Sequence, residues 1–307
     1  MRLGAVYSAL AALILATPAQ AQRDNDDIIV TAPELEEAAR AFAREVAAPP
    51  ARENQLTRFE NRVCPGVVGL NARQGQFVVD RIAQRALQLE LEVGAPGCKA
   101  NVLVIVTMDP AGAASALAEE QRYLMANYGV QENLNTRGAE AFNDFVEAER
   151  PVRWWHVSQT ETADGDVLGH TNPYGRMIST FEQEFRGVEV TRPSMANFGR
   201  LTRPTLQAMR NVVAIVDARS VGSVRLDALA DYIAMVAFAQ TDPTADTAAY
   251  DTILNLFSAT PSGQTGMTDW DIAYLEGLYT GRGNQIDANW QNRTIARRMR
   301  DDLTTQQ

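Results

Sequence analysis

Histidine, cysteine and lysine are all scarce in this 307-residue chain. It has two histidines, two cysteines and, among 28 basic residues, one lysine, Lys99. Two histidines exclude a three-histidine metal site. Two cysteines exclude a disulfide-dense scaffold. Beyond the first residues no apolar run approaches the roughly 20 residues needed to span a bilayer, so no membrane span is expected. Positive charge is in deficit as well: the formal net charge is −10, which argues against nucleic acid or an anionic membrane surface as the partner. No Gly-x-Ser-x-Gly elbow, P-loop or Rossmann fingerprint follows a strand pattern. Asp164-Gly165-Asp166 lacks EF-hand spacing, because the twelfth position from Asp164 is Gly175 and not Glu. No cofactor and no metal are therefore expected.

What is present is globular: 46% of residues are hydrophobic and 21% charged. Met1-Arg2, an apolar run from Leu3 to Ala16 and the small-x-small end Ala19-Gln20-Ala21 predict a secretory signal peptide over 1–21, cleaved after Ala21. The expected location is periplasmic or extracellular. In that oxidising space a Cys64–Cys98 disulfide is expected, each cysteine standing beside a Pro-Gly turn. Residues 22–50 read as a polar leader followed by a helix, opened by Thr31 and Glu34 in capping-box spacing and closed by Pro49-Pro50. Residues 51–307 read as one domain.

Within that domain a short strand is expected around Val63, and Asn71 caps a helix whose apolar face carries Val78, Ile82, Ala86 and Leu89. Val102 to Val106 and Val212 to Val216 are continuous apolar runs, the pattern of buried strands. A helix is expected from Asp109-Pro110 to about Asn127, another over 139–148, and a strand from Val152 to Thr160. Residues 161–204 show no clear period. Leu226 to Gln240 is apolar nearly all round and predicts a central helix. Two more helices follow near 269–279 and 287–303. Few buried strands among many helices predict an α+β fold, or an α/β sandwich.

Three segments then occur in order: Ala230-Asp231-Tyr232-Ile233-Ala234-Met235, Ile253-Leu254-Asn255-Leu256-Phe257, and Met267-Thr268-Asp269-Trp270-Asp271-Ile272 running on to Leu278-Tyr279. Together, over residues 211–280, they resemble the C-terminal part of matrixin-like secreted zinc peptidases, the metzincin type of zincin. There a buried strand leads to the HExxH helix, then a turn, then a T-x-x-D-I-x-x-L-x-x-L-Y helix. The resemblance implies a zincin-like fold. It places Asp231, Tyr232 and Met235 where the zinc motif would stand, with Phe238 at the family's turning glycine and Thr241 at its third ligand. A carboxylate is able to ligate a metal, but a tyrosine with a pKa near 10 is a poor general base and a thioether is a poor ligand for catalytic zinc. The implication is a catalytically inactive zincin-like protein that binds a peptide or protein partner, Asp231, Tyr232 and Met235 being its candidate binding positions. The alternative is a core helix of an unrelated fold.

Other chemistry centres on His156, His170 and Asp166, a catalytic cluster only if a hairpin brings them together, with Asp164 as a further carboxylate. Such a centre would make the protein a hydrolase. Trp154 and Trp155 are candidate groove-lining aromatics, although strand alternation puts Trp154 with His156 on one face and Arg153 with Trp155 on the other. A structural envelope protein is the third reading.

Overall fold

The two apolar runs predicted as buried strands lie side by side in the middle of one sheet. Val102–Thr107 (β2) and Thr205–Asp217 (β5) run parallel, Val102 opposite Val212 and Thr107 opposite Asp217. The computed structural model describes residues 32–126, 134–165, 199–258 and 263–305. The expected signal peptide, the leader as far as Thr31, and Asp166 and His170 lie outside the described residues. Pro65–Val68 (β1) adds to β2 in parallel. Val152–Thr162 (β4) adds to β5 antiparallel, and the two-residue Leu134–Asn135 (β3) pairs with β4. The order is β1-β2-β5-β4-β3.

Helix Ala72–Gln88 (α2) supplies the crossover that the parallel pair β1 and β2 requires. Asn71 caps it, its side chain accepting from Gln74 N at 3.0 Å. The turn from β1 into α2 passes so close to β2 that a Cβ on Gly69 would meet the Val106 carbonyl oxygen at 1.8 Å, and Gly69 has φ +88°. Cys64 and Cys98, whose Cα atoms are 6.1 Å apart, are bridged across the ends of this unit. Closing that loop restricts the unfolded chain, worth about 3–4 kcal/mol in the chain-entropy model.

Helices cover both faces of the sheet, and the α+β class is what the chain adopts. On one face α2 packs with Ala32–Val46 (α1), Leu226–Phe238 (α6), Asp269–Thr280 (α7) and Ala288–Thr305 (α8), over Val102, Val104, Trp154, Val212 and Ala214. On the other Pro110–Glu120 (α3), Arg122–Met125 (α4) and Ala139–Glu147 (α5) pack on Trp155, Val157, Val213 and Ile215. Because both faces are covered, β4 and β5 read as nearly unbroken buried runs. α6 is the central helix, with every residue from Ala228 to Phe238 buried.

Two local differences from the sequence reading have clear causes. The helix expected to run unbroken to Asn127 breaks at Gln121, and α4 then stops at Ala126, which takes the left-handed conformation at φ +48°. The strand expected around Val63 begins two residues later. Val63 itself makes only an isolated parallel bridge to Val93, while β1 starts opposite Val102. Among the described residues no helix is long and apolar enough to cross a membrane.

Candidate functional site

α6 carries the three positions singled out by the zincin resemblance, and they point in different directions. Asp231 is fully buried and faces α2. Its carboxylate accepts from Arg81 Nε and Nη2 at 2.7 and 2.8 Å, from Arg85 Nε and Nη2 at 2.9 and 2.7 Å, and from Met267 N at 3.0 Å. A carboxylate offers about four lone-pair sites, so this one is saturated. Burial opposes its ionisation, but the hydrogen bonds from Arg85, Arg81 and the Met267 amide outweigh that and hold its pKa down to about 2. The loop approaches closely enough because residue 266 is glycine: a Cβ there would lie 2.7 Å from Asp231 Oδ2.

Tyr232 faces the sheet and Phe257 instead, edge-on to Trp154 and Phe257 with ring centroids 6.1 and 5.0 Å away. Burial pushes its phenol well above the usual tyrosine range. Met235 is completely buried in the core.

His156 closes the other end of α6. A carbonyl only accepts, so the 2.6 Å contact to Val236 O means that Nε2 carries the proton and donates it. The ring is 2% exposed, and burial lowers its pKa to about 4, leaving it neutral at pH 7. Its neighbour Trp154 donates from Nε1 to Thr241 O at 3.2 Å on the same face. Trp155 lies on the opposite face and donates to Met125 O at 2.8 Å. The two indoles therefore pack into opposite faces of the sheet, although both residues border one small recess with Arg137, Asp144 and Arg150. Asp164 is described, at the turn after β4, whereas its proposed partners Asp166 and His170 lie outside the described residues. Among the described residues no group of three or more His, Cys, Asp or Glu side chains is placed to hold a metal.

The T-x-x-D-I-x-x-L-x-x-L-Y pattern of α7 has a structural explanation at each end. Thr268 and Asp271 form a reciprocal capping box. Asp271 also accepts from Ile253 N at 2.7 Å and from the Thr252 hydroxyl, tying α7 to the short 3-10 turn Ile253–Phe257. At the far end the Tyr279 hydroxyl donates to Phe238 O at 2.8 Å, satisfying a terminal carbonyl of α6. The α7 C-terminus is closed by Arg58, whose Nη1 donates to Leu278 O at 2.8 Å and Tyr279 O at 3.1 Å.

Open space lies along α2. A groove of about 850 Å³ runs between the start of α2 and the start of α6, lined by Asn71, Gln74, Phe77, Asp80, Arg225 and Asp227 among others. Phe77 is 45% exposed there. One helical turn further on, a polar recess of about 420 Å³ is bounded by Arg81, Arg85, Asp251 and the 263–268 loop. The Arg81 and Arg85 side chains are 28% and 15% exposed.

Sequence reasoning missed both arginines. The available signal was Arg81 and Arg85 flanking Ile82 and Ala86 on the apolar face of an amphipathic helix, where an unpaired cation is costly. It missed Phe77 too, an aromatic next to the α2 stripe and not in it. Comparison with family models, with curated proteins and with solved structures finds no match for this chain.

Proposed function

We propose that the protein is exported and acts by binding a polypeptide partner, on a zincin-like scaffold without a catalytic metal. The observation that carries the binding reading is the groove along α2, with the Phe77 ring exposed on its wall beside a closed core. Exposed aromatics in concave surfaces are the usual anchors of polypeptide recognition. Asp231 supports the absence of metal chemistry, because five N–H donors occupy the carboxylate that would stand at the zinc motif. The zincin-like scaffold is supported by the succession of buried strand β5, helix α6, a 3-10 turn and helix α7. Export is supported by the Cys64–Cys98 bridge, a feature of oxidising compartments.

Two measurements test this reading. A random peptide library panned on tag-free, oxidised protein yields binders whose affinity falls about tenfold or more in Phe77→Ser, at an unchanged melting temperature. Binders indifferent to Phe77 would remove the groove from the proposal. Elemental mass spectrometry after equilibration with zinc and calcium and dialysis finds no metal near one per chain. A tightly held stoichiometric ion would overturn the metal-free scaffold.

A further inference from the structure

Resting on the α2 groove as a polypeptide site, we propose that the adjoining recess captures the carboxy-terminal residue of the bound chain, its free carboxylate on Arg81. Three features converge there. Arg81 presents a fixed guanidinium: Nε and Nη2 are held side by side on Asp231, while Nη1 has no hydrogen-bond partner among the described residues. Planar guanidinium groups held in this way are receptors for carboxylates, binding them with directed, charge-assisted hydrogen bonds.

The opposite wall supplies acceptors. Gln264 donates its amide N–H to Asp251 Oδ1 at 2.7 Å, which orients the side chain and leaves Gln264 Oε1 buried with no partner among the described residues. A buried acceptor without a donor is costly unless a ligand supplies one. The recess thus offers a cationic donor on one wall and, on the other, a neutral and an anionic acceptor. The last residue of a peptide has the complementary pair, a carboxylate and a backbone N–H one Cα apart.

The charge count agrees. Arg81 and Arg85 are balanced by Asp231 beneath them and Asp251 across the recess, so no excess positive charge favours a multivalent anion such as phosphate. Asp231 acts here as a positioning residue. Its contact with two arginines of α2, four residues apart, orients both forks while leaving one edge of Arg81 toward solvent. The groove beside Phe77 then receives the preceding residues, since Phe77 and Arg81 are neighbours on one face of α2.

The test uses N-acetyl-leucine, N-acetyl-leucine amide and inorganic phosphate, followed by NMR at the arginine Nε–H resonances of the full oxidised protein. N-acetyl-leucine shifts the Arg81 signal, and the amide and phosphate bind at least about tenfold more weakly. Arg81→Gln abolishes the preference for the free acid, and Gln264→Leu weakens the acid without removing that preference. Arg85 still neutralises Asp231 in Arg81→Gln; the variant melts at a lower temperature, and a single cooperative transition with wild-type amide resonances away from the recess establishes that it is folded. Equal binding of acid and amide, phosphate as the preferred ligand, or no shift at Arg81 each overturns the inference. A library peptide that needs Phe77 but tolerates C-terminal amidation overturns only the carboxylate site. Binding of N-acetyl-leucine at Arg81 with no Phe77-dependent peptide overturns only the groove.

Discussion

Asp231 and Asp271 are both completely buried, yet their surroundings drive their carboxyl groups in opposite directions. Asp231 meets two guanidinium groups, and its pKa falls to about 2. Asp271 meets neutral donors, the Thr252 and Thr268 hydroxyls and the Ile253 and Thr268 amides, and burial raises its pKa above the usual aspartate value despite them. Equal burial therefore does not give equal chemistry; the charge of the partner decides it. The difference also separates two roles. Asp271 joins α7 to the turn before it and faces only its own fold. Asp231 holds two cations at the floor of an open recess, where one retains a free edge.

The largest expected effect comes from removing the carboxylate that faces charge. Asp231→Ala leaves Arg81 and Arg85 without a counter-charge in a largely buried seam between α2 and α6. Loss of one side of a buried ion pair costs about 3–5 kcal/mol. In a domain of this size that corresponds to a fall in melting temperature of roughly 10 °C. Asp231→Asn is milder, since an amide still accepts one set of N–H bonds. If calorimetry finds Asp231→Ala within about 1 kcal/mol of wild type, the ion pair is a surface-like contact of little weight.

Acid sharpens the contrast, because the signs differ. The folded pKa of Asp231 lies below its unfolded value near 3.8. Its contribution is therefore complete above that value and is lost as pH falls toward about 2. The folded pKa of Asp271 is raised, so the native state takes up a proton before the unfolded chain does, and this group favours folding as pH drops from that raised value toward 3.8. His156 acts at milder acidity, where the raised carboxyls of Glu161 and Glu276 work in the opposite sense. With its pKa lowered from 6.5 to about 4, the unfolded chain protonates first, and stability declines as pH falls between those values. From pH 7 to pH 5 the share of the loss due to His156 is about 2 kcal/mol. Urea unfolding at both pH values checks it: His156→Gln, which still offers an N–H to Val236 O, flattens this limb. An equally steep limb in that variant would place the titrating group elsewhere. Asp271→Asn steepens the limb nearer pH 4, and Asp231→Asn makes the limb below it shallower.

Much of the frame was legible because it rests on local pattern. The apolar runs at 102–106 and 212–216 became neighbouring strands, the all-round apolar stretch became the central helix, and Asn71 is the cap its side chain suggested. The cysteines are bridged as their flanking turns and the expected compartment implied. The recess was not legible, since it depends on contacts between residues 146 and 150 positions apart: Arg85 and Arg81 with Asp231. No local period reports such a pairing. The break at Gln121 was hidden for a different reason, because the helix-forming composition continues through it. In β4, alternation placed Trp154 and Trp155 on opposite faces, but whether either face was open depended on α5 and α6, distant in sequence.

The smallest expected effect tests whether the α7 pattern is structural along its whole length. Tyr279 is its last residue. Its hydroxyl donates to Phe238 O at 2.8 Å and accepts from Phe59 N at 3.2 Å, bridging the end of α6 to the segment leading into β1. Tyr279→Phe keeps the ring and its packing and removes only that bridge, leaving one carbonyl and one N–H without these bonds. A loss of about 1 kcal/mol is expected, with faster hydrogen exchange at the Phe59 amide and no change at the capping box of Thr268 and Asp271. The local readout separates two origins of the tyrosine. Accelerated exchange confined to Phe59 makes the hydroxyl a clasp on the end of α6. Unchanged exchange, with stability preserved, would mean that the ring alone serves the fold and that the end of α6 is held by His156 at Val236 O.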